Sequence, residues 1–175
     1  MTGTGDVEAT EEAARAQGTD YTGAIYGSLL AGSVVIGSAV GEHGESAVRP
    51  LQLAASLIIT GLVFWLAHAY ARLVGQRNRH AALTSQEVRR AVRREWPVLG
   101  AALPPAAAAL VVGLLGASNA AAAWAALLTA IAGQVGWATI TTIRTGASTP
   151  LVLLSAAVNL LLGLAIVLLK TALSH

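Results

Sequence analysis

Three features of the chain predict an all-α fold, a polytopic membrane helix bundle with five transmembrane helices and one cytoplasmic interfacial amphipathic helix. First, five stretches free of Asp, Glu, Lys and Arg stand at residues 21–41, 51–71, 98–115, 120–143 and 151–169. About 20 apolar residues at 1.5 Å each cover the hydrocarbon of a bilayer, and a helix satisfies its backbone groups internally there. Second, 55% of the 175 residues are hydrophobic and only 11% charged, against about a quarter in an ordinary soluble domain. Third, the segments between the stretches are too short for a second domain to bury a core. Residues 21–175 therefore form a single membrane domain.

The elements follow in order. Residues 1–20 carry Asp6, Glu8, Glu11, Glu12 and Asp20 against Arg15, the reverse of the basic start of a signal peptide, and read as an uncleaved, acidic, disordered cytoplasmic tail. In span one Gly23, Gly27, Ala31, Ser38 and Gly41 fall on one arc, extended by Ala24, Ser28 and Gly32. Such a flat face lets helices approach closely, within the bundle or across a homo-oligomer. Pro50 marks the start of span two, and Thr149 before Pro150 that of span five. Span three is the shortest. It starts behind Pro97 at the first helical position, runs through Pro104-Pro105 and ends at the turn Gly116–Asn119; a re-entrant hairpin is its alternative. The proline pair cannot donate to the carbonyls of Gly100 and Ala101.

Orientation follows from the loop between spans two and three, which holds Arg72, Arg77, Arg79, Arg89, Arg90, Arg93 and Arg94. Placing it inside puts Arg15 and Arg144 inside as well and leaves Arg49 and Lys170 outside. The expected location is the plasma (inner) membrane, multi-pass, with the N-terminus cytoplasmic and the C-terminus extracytoplasmic. Within that loop Thr84 and Glu87 have capping-box spacing, and over residues 85–96 Val88, Ala91, Val92 and Trp96 recur on one helix face. Arg89, Arg90, Arg93 and Arg94 cover the rest. They suit anionic lipid headgroups or an acidic partner, or serve as the orientation signal alone.

Several chemistries are excluded. The chain has no cysteine, so disulfides, thiolate catalysis and Cys-bound metals are impossible. No carboxylate lies within a span to titrate, as proton-coupled carriers require. His68 is the sole histidine in a span, and no serine stands in a Gly-x-Ser-x-Gly context. No enzyme, cofactor or nucleic-acid partner is expected. Glu42, His43 and Glu45 share a predicted side with His175, but the short Gly-flanked loop is no argument for a metal.

The intramembrane polar groups share one depth. Counted from the span ends, His68, Gln134 and Asn159 fall in the inner half of the bilayer, near Thr141, Thr142 and the level of Pro104-Pro105. With the freed carbonyls of Gly100 and Ala101 they would line a small hydrated pocket open to the cytoplasm. The competing reading is packing, with Ser155, Asn159 and Gly163 in one row and Ala126, Ala130, Gln134, Ala138 and Thr142 in another, their amides acting as interhelical glue.

The abundance of alanine and the ten Arg against the single Lys170 look like translation from a high-GC genome. In size and composition the chain resembles the small multi-spanning integral membrane proteins of actinobacterial type, which have no assigned activity. The resemblance rests on no motif and transfers no functional residue. Two functions are expected from the residues. The first is a structural or interaction protein, an accessory subunit or scaffold that binds lipid, a second copy or another membrane protein without catalysis of its own. The second is a passive channel or facilitator for a small solute or ion, lined by the inner polar cluster.

Overall fold

The computed structural model describes residues 22–40, 48–75 and 84–173. The acidic tail 1–20, Gly41, Arg77, Arg79 and the group Glu42, His43, Glu45 and His175 lie outside the described residues. Among the described residues seven helices follow one another: α1 Thr22–Val40, α2 Pro50–Gly75, α3 Ser85–Arg94, α4 Trp96–Gly100, α5 Leu103–Leu114, α6 Asn119–Arg144 and α7 Thr149–Leu173. No strand occurs among the described residues.

Proline sets the breaks. The expected amphipathic helix 85–96 stops at Arg94, because Pro97 has no N–H for the carbonyl one turn earlier and restricts the backbone of Trp96. Instead the amide of Val98 reaches Glu95 O at 3.0 Å. The same chemistry divides the stretch expected as one span at 98–115. Pro104 and Pro105 open α5, and the preceding turn tightens as the Ala102 amide bonds Leu99 O at 3.0 Å. At the far ends of α5 and α6, Gly116 (φ 78°) and Gly146 (φ 70°) adopt the left-handed conformation that closes a helix. The Gly116 amide bonds Gly113 O at 3.1 Å, and the Ser118 hydroxyl caps α6 at Ala121 N, 3.2 Å away.

Four stretches are long and apolar enough to cross a membrane: Pro50–Gly75, Ser85–Leu114, Asn119–Arg144 and Thr149–Leu169. The apolar part of α1, Gly23–Ser38, is shorter. Helix α2 extends four residues beyond the charge-free stretch that ends at residue 71, because Arg72 finds a partner described below and need not end the helix.

Helix α1 is packed against α2, α4, α6 and α7. The core shared by α1, α2, α5 and α6 is built from Ala31, Val35, Leu57, Ala109, Ala126 and Leu127, with further alanines around them and Ile166 and Val167 of α7 packed against it. Large apolar side chains point the other way: Ile59, Val63 and Leu66 on α2 and Leu153, Leu154 and Leu161 on α7 are exposed. Small residues inside and large aliphatic ones outside invert the soluble pattern. Close backbone approach then supplies the dispersion contacts that hold helices together where lipid is as apolar as the core.

Candidate functional site

The polar groups singled out from the sequence gather in two places. The first is the α6–α7 interface. Positions 134, 138 and 142 share one face of α6, and 155, 159 and 163 one face of α7, by the i, i+4 rule; the two helices run antiparallel, so the rows meet in reverse order. Gln134 is 1% exposed, and its Nε2 donates to Asn159 Oδ1 at 3.2 Å and Asn159 O at 3.3 Å. Asn159 Nδ2 donates to Ser155 O at 2.9 Å. Two turns further along α6, Thr142 Oγ1 donates to Ala138 O at 2.7 Å and lies 3.2 Å from Ser155 Oγ. Ile131 fills the space above Gly163, where an added Cβ would lie 2.7 Å from Ile131 Cγ2. The hydroxyl of Thr141 turns to its own helix, donating to Trp137 O at 2.8 Å.

The second place is the corner between α1, α2 and α4. His68 Nδ1 lies 2.8 Å from Phe64 O, and the imidazole ring stands 5.3 Å from the Tyr26 ring. Gly23 and Gly27 face α4: a Cβ on Gly27 would lie 2.6 Å from Val98 O and 2.9 Å from Ala101 Cβ. On α2, a Cβ on Gly61 would lie 2.9 Å from Ala102 Cβ. Here main chain meets main chain, with the Gly27 Cα–H turned to a carbonyl. A void of about 10 Å³ remains beside Gly27, Thr60, Gly61, Val98 and Ala102, the space of a single water molecule.

Depth therefore places these groups together only in part. Gln134, Thr142 and Asn159 meet on α6–α7 with Ser155 and Gly163. His68 stands on the other side of α1, while Gly100, Ala101, Pro104 and Pro105 form the α4–α5 break. Ala101 and Pro105 are buried, Gly100 is half-buried with open space where a Cβ would stand, and Pro104 is exposed. Rise per residue fixes height but not which way a helix is turned about its axis.

At the end of the corner where α2 finishes and α3 passes into α4 stands a pair that the sequence reading missed. Glu95, 6% exposed, forms an ion pair with Arg72 Nε. Beside it Trp65 Nε1 donates to Val92 O at 2.9 Å, and the Trp65 and Trp96 rings meet edge to face at 5.7 Å. The signal was available. Arg72 follows one apolar stretch and Glu95 precedes the next, so antiparallel helices bring them to one level; Glu95 also continues the Val88, Ala91, Val92 face.

These contacts fasten α3 to α2 with its other side free. Arg89, Arg90, Arg93 and Arg94 are all exposed. The helix start is fixed by a capping box in which Thr84 N and Oγ1 each donate to Glu87 Oε2 at 2.9 Å and Glu87 N donates to Thr84 Oγ1 at 3.3 Å. The Thr84 amide, then its hydroxyl, and lastly Arg90 hold the Glu87 carboxyl below the usual range, against a small opposing effect of desolvation. No three His, Asp or Glu gather to hold a metal among the described residues. Comparison with family models, curated proteins and solved structures gave no match.

Proposed function

We propose that this protein is a five-span plasma-membrane protein, N-terminus inside and C-terminus outside, that works as a structural or interaction module without catalysis of its own. Its working surface is the arginine face of α3, held at the cytoplasmic headgroup level to engage anionic lipid. One observation carries the reading. The interior amides Gln134 and Asn159 bond each other, whereas the four arginines of a helix fastened by Trp65 and Glu95 are turned outward. Charge is displayed and interior polarity is consumed. α1 supplies the fifth span: its 19 residues reach about 28 Å, close to the hydrocarbon thickness.

Two measurements test this. In nanodiscs, quenching of Trp65 and Trp96 by brominated phosphatidylglycerol should exceed quenching by brominated phosphatidylcholine. The preference should vanish in the Arg89, Arg90, Arg93 and Arg94→Gln variant and weaken with salt. In proteoliposomes the purified protein should pass neither ions nor small solutes; flux that falls in Gln134→Leu would replace the module with a passive channel.

A further inference from the structure

Among the described residues the only carboxylates are Glu87 and Glu95. The first is turned back onto Thr84 and the second is paired with Arg72. The helix that displays four guanidinium groups thus has its own acid, and the one that directly follows it, engaged.

The chain carries other acids, and the fold decides which are near. Glu42 and Glu45 follow Val40 at the far end of α1, about 28 Å from its start. The near end is different. A Cβ on Gly23 would lie 3.0 Å from Val98 Cγ2 and 3.9 Å from Pro97 Cβ, and Pro97 is three residues beyond Arg94. The segment preceding α1 therefore joins the bundle at the foot of α3. That segment, residues 1–21, carries Asp6, Glu8, Glu11, Glu12 and Asp20 against Arg15. Helix α3 has 10 residues, about 15 Å of length, and the ten residues from Glu12 to Tyr21 can extend over about 33 Å. Reach, position and charge sign agree.

We propose that the arginine face of α3 is the docking surface for this chain's own acidic N-terminal segment, residues 1–21, which competes there with lipid headgroups. The docking stands on the placement above; the competition rests on the lipid reading under Proposed function. Four closely spaced arginines at i, i+1, i+4 and i+5 suit the closely spaced Glu8, Glu11 and Glu12 by opposite charge. Contacts of this kind weaken as salt screens them, so the segment would leave when anionic lipid is dense and return when it is sparse.

The absence of cysteine makes the test clean. Spin labels at Ala9→Cys and Gln86→Cys, in the full chain in phosphatidylcholine nanodiscs, report the distance from segment to helix by pulsed electron resonance. A short-distance population is expected, falling at least about twofold as salt rises from roughly 0.05 to 0.5 M, where the screening length shrinks from about 14 to about 4 Å. The same loss is expected in the variant with Arg89, Arg90, Arg93 and Arg94→Gln. It is also expected with Glu8, Glu11 and Glu12→Gln, a change that alters none of the described residues. An unchanged distribution in both variants would overturn the docking. Adding phosphatidylglycerol separates the two ideas: displacement of the segment supports competition, whereas a docked population that lipid does not move overturns competition and the lipid reading with it, the docking standing.

Discussion

The α6–α7 interface and the contact of α1 with α4 are both helix pairs lined by small residues, yet they are held in different ways. Along α6–α7 the helices leave room for side chains, and Gln134, Asn159, Ser155 and Thr142 fill it with a chain of polar contacts. Between α1 and α4 no polar side chain is among the nearest neighbours of Gly23 and Gly27. Gly27 lies against the carbonyl of Val98, and the polar partner pair, Arg72 and Glu95, is displaced to the end of α2. A side-chain seam can lose one member and keep its spacing. A main-chain contact cannot accept one extra carbon, and an edge pair cannot lose its cation without stranding an acid.

The edge pair should be the most sensitive. Arg72→Ala leaves Glu95 buried without a partner, and removing one member of such a pair costs about 3 kcal/mol. Unfolding in mixed detergent and sodium dodecyl sulfate micelles, followed by tryptophan fluorescence, should show that loss. The double variant Arg72→Leu with Glu95→Leu should recover most of it, because no charge is then left unpaired. A single variant as stable as the parent would mean that Glu95 reaches water and that the corner is held by glycine contacts alone.

Next comes Gly27→Ala. Its methyl would stand 2.6 Å from a backbone oxygen, which has no rotamer by which to move aside, so α1 and α4 must part at a cost of about 1–3 kcal/mol. Gly37→Ala is the internal control, since nothing lies within 4 Å of its added carbon. The same unfolding assay should find the control within about 0.5 kcal/mol of the parent, as surface changes usually are. Equal changes at Gly27 and Gly37 would mean that close approach to α4 does not set the cost, and would remove the distinction between the two interfaces.

In the seam, Gln134→Leu should cost less, about 1 kcal/mol, the usual worth of an interhelical amide bond in a bilayer. Adding Asn159→Leu should cost little more, because the partner left unsatisfied is removed with it. A sum of independent losses would show that the amides do not act as one unit.

The two regions also differed in how far they could be foreseen. The rows containing Gln134 and Asn159 were legible because a polar residue in a small-residue row marks a helix face, and two antiparallel faces of matched spacing meet. His68 was assigned to the same neighbourhood on depth, and depth carries no azimuth; its partners, Tyr26 and Phe64, depend on how α1 and α2 are turned. Gly27 was legible as part of a flat face, but not that α4 would be the neighbour, since that follows from the break at Pro104-Pro105. Glu95 was missed because residues 85–96 were read only for an apolar face and an arginine face, and no partner was sought for Arg72.

The smallest effect lies at the start of α3, where the same question of side chain against main chain is asked by one carboxylate. Thr84 N and Oγ1 both donate to Glu87, stabilising its charged form and lowering its pKa below 4.5. A carboxyl whose folded pKa is depressed gives stability that is present above the unfolded value and is lost as pH falls through the folded one. The carboxyl carbon shift of Glu87, followed by NMR, should therefore titrate with a midpoint under 4.5, and protection of the α3 amides should fade over the same range. Thr84→Ala should move the midpoint back toward 4.5 and loosen α3 by about 1 kcal/mol. Helix α3 is tied to the bundle further along, at Val92 and Glu95, so this loss should be confined to its first turn and leave the unfolding midpoint of the bundle in place. A shift of the whole unfolding curve would mean that the cap, rather than Trp65 and the ion pair, holds the arginine helix to the corner.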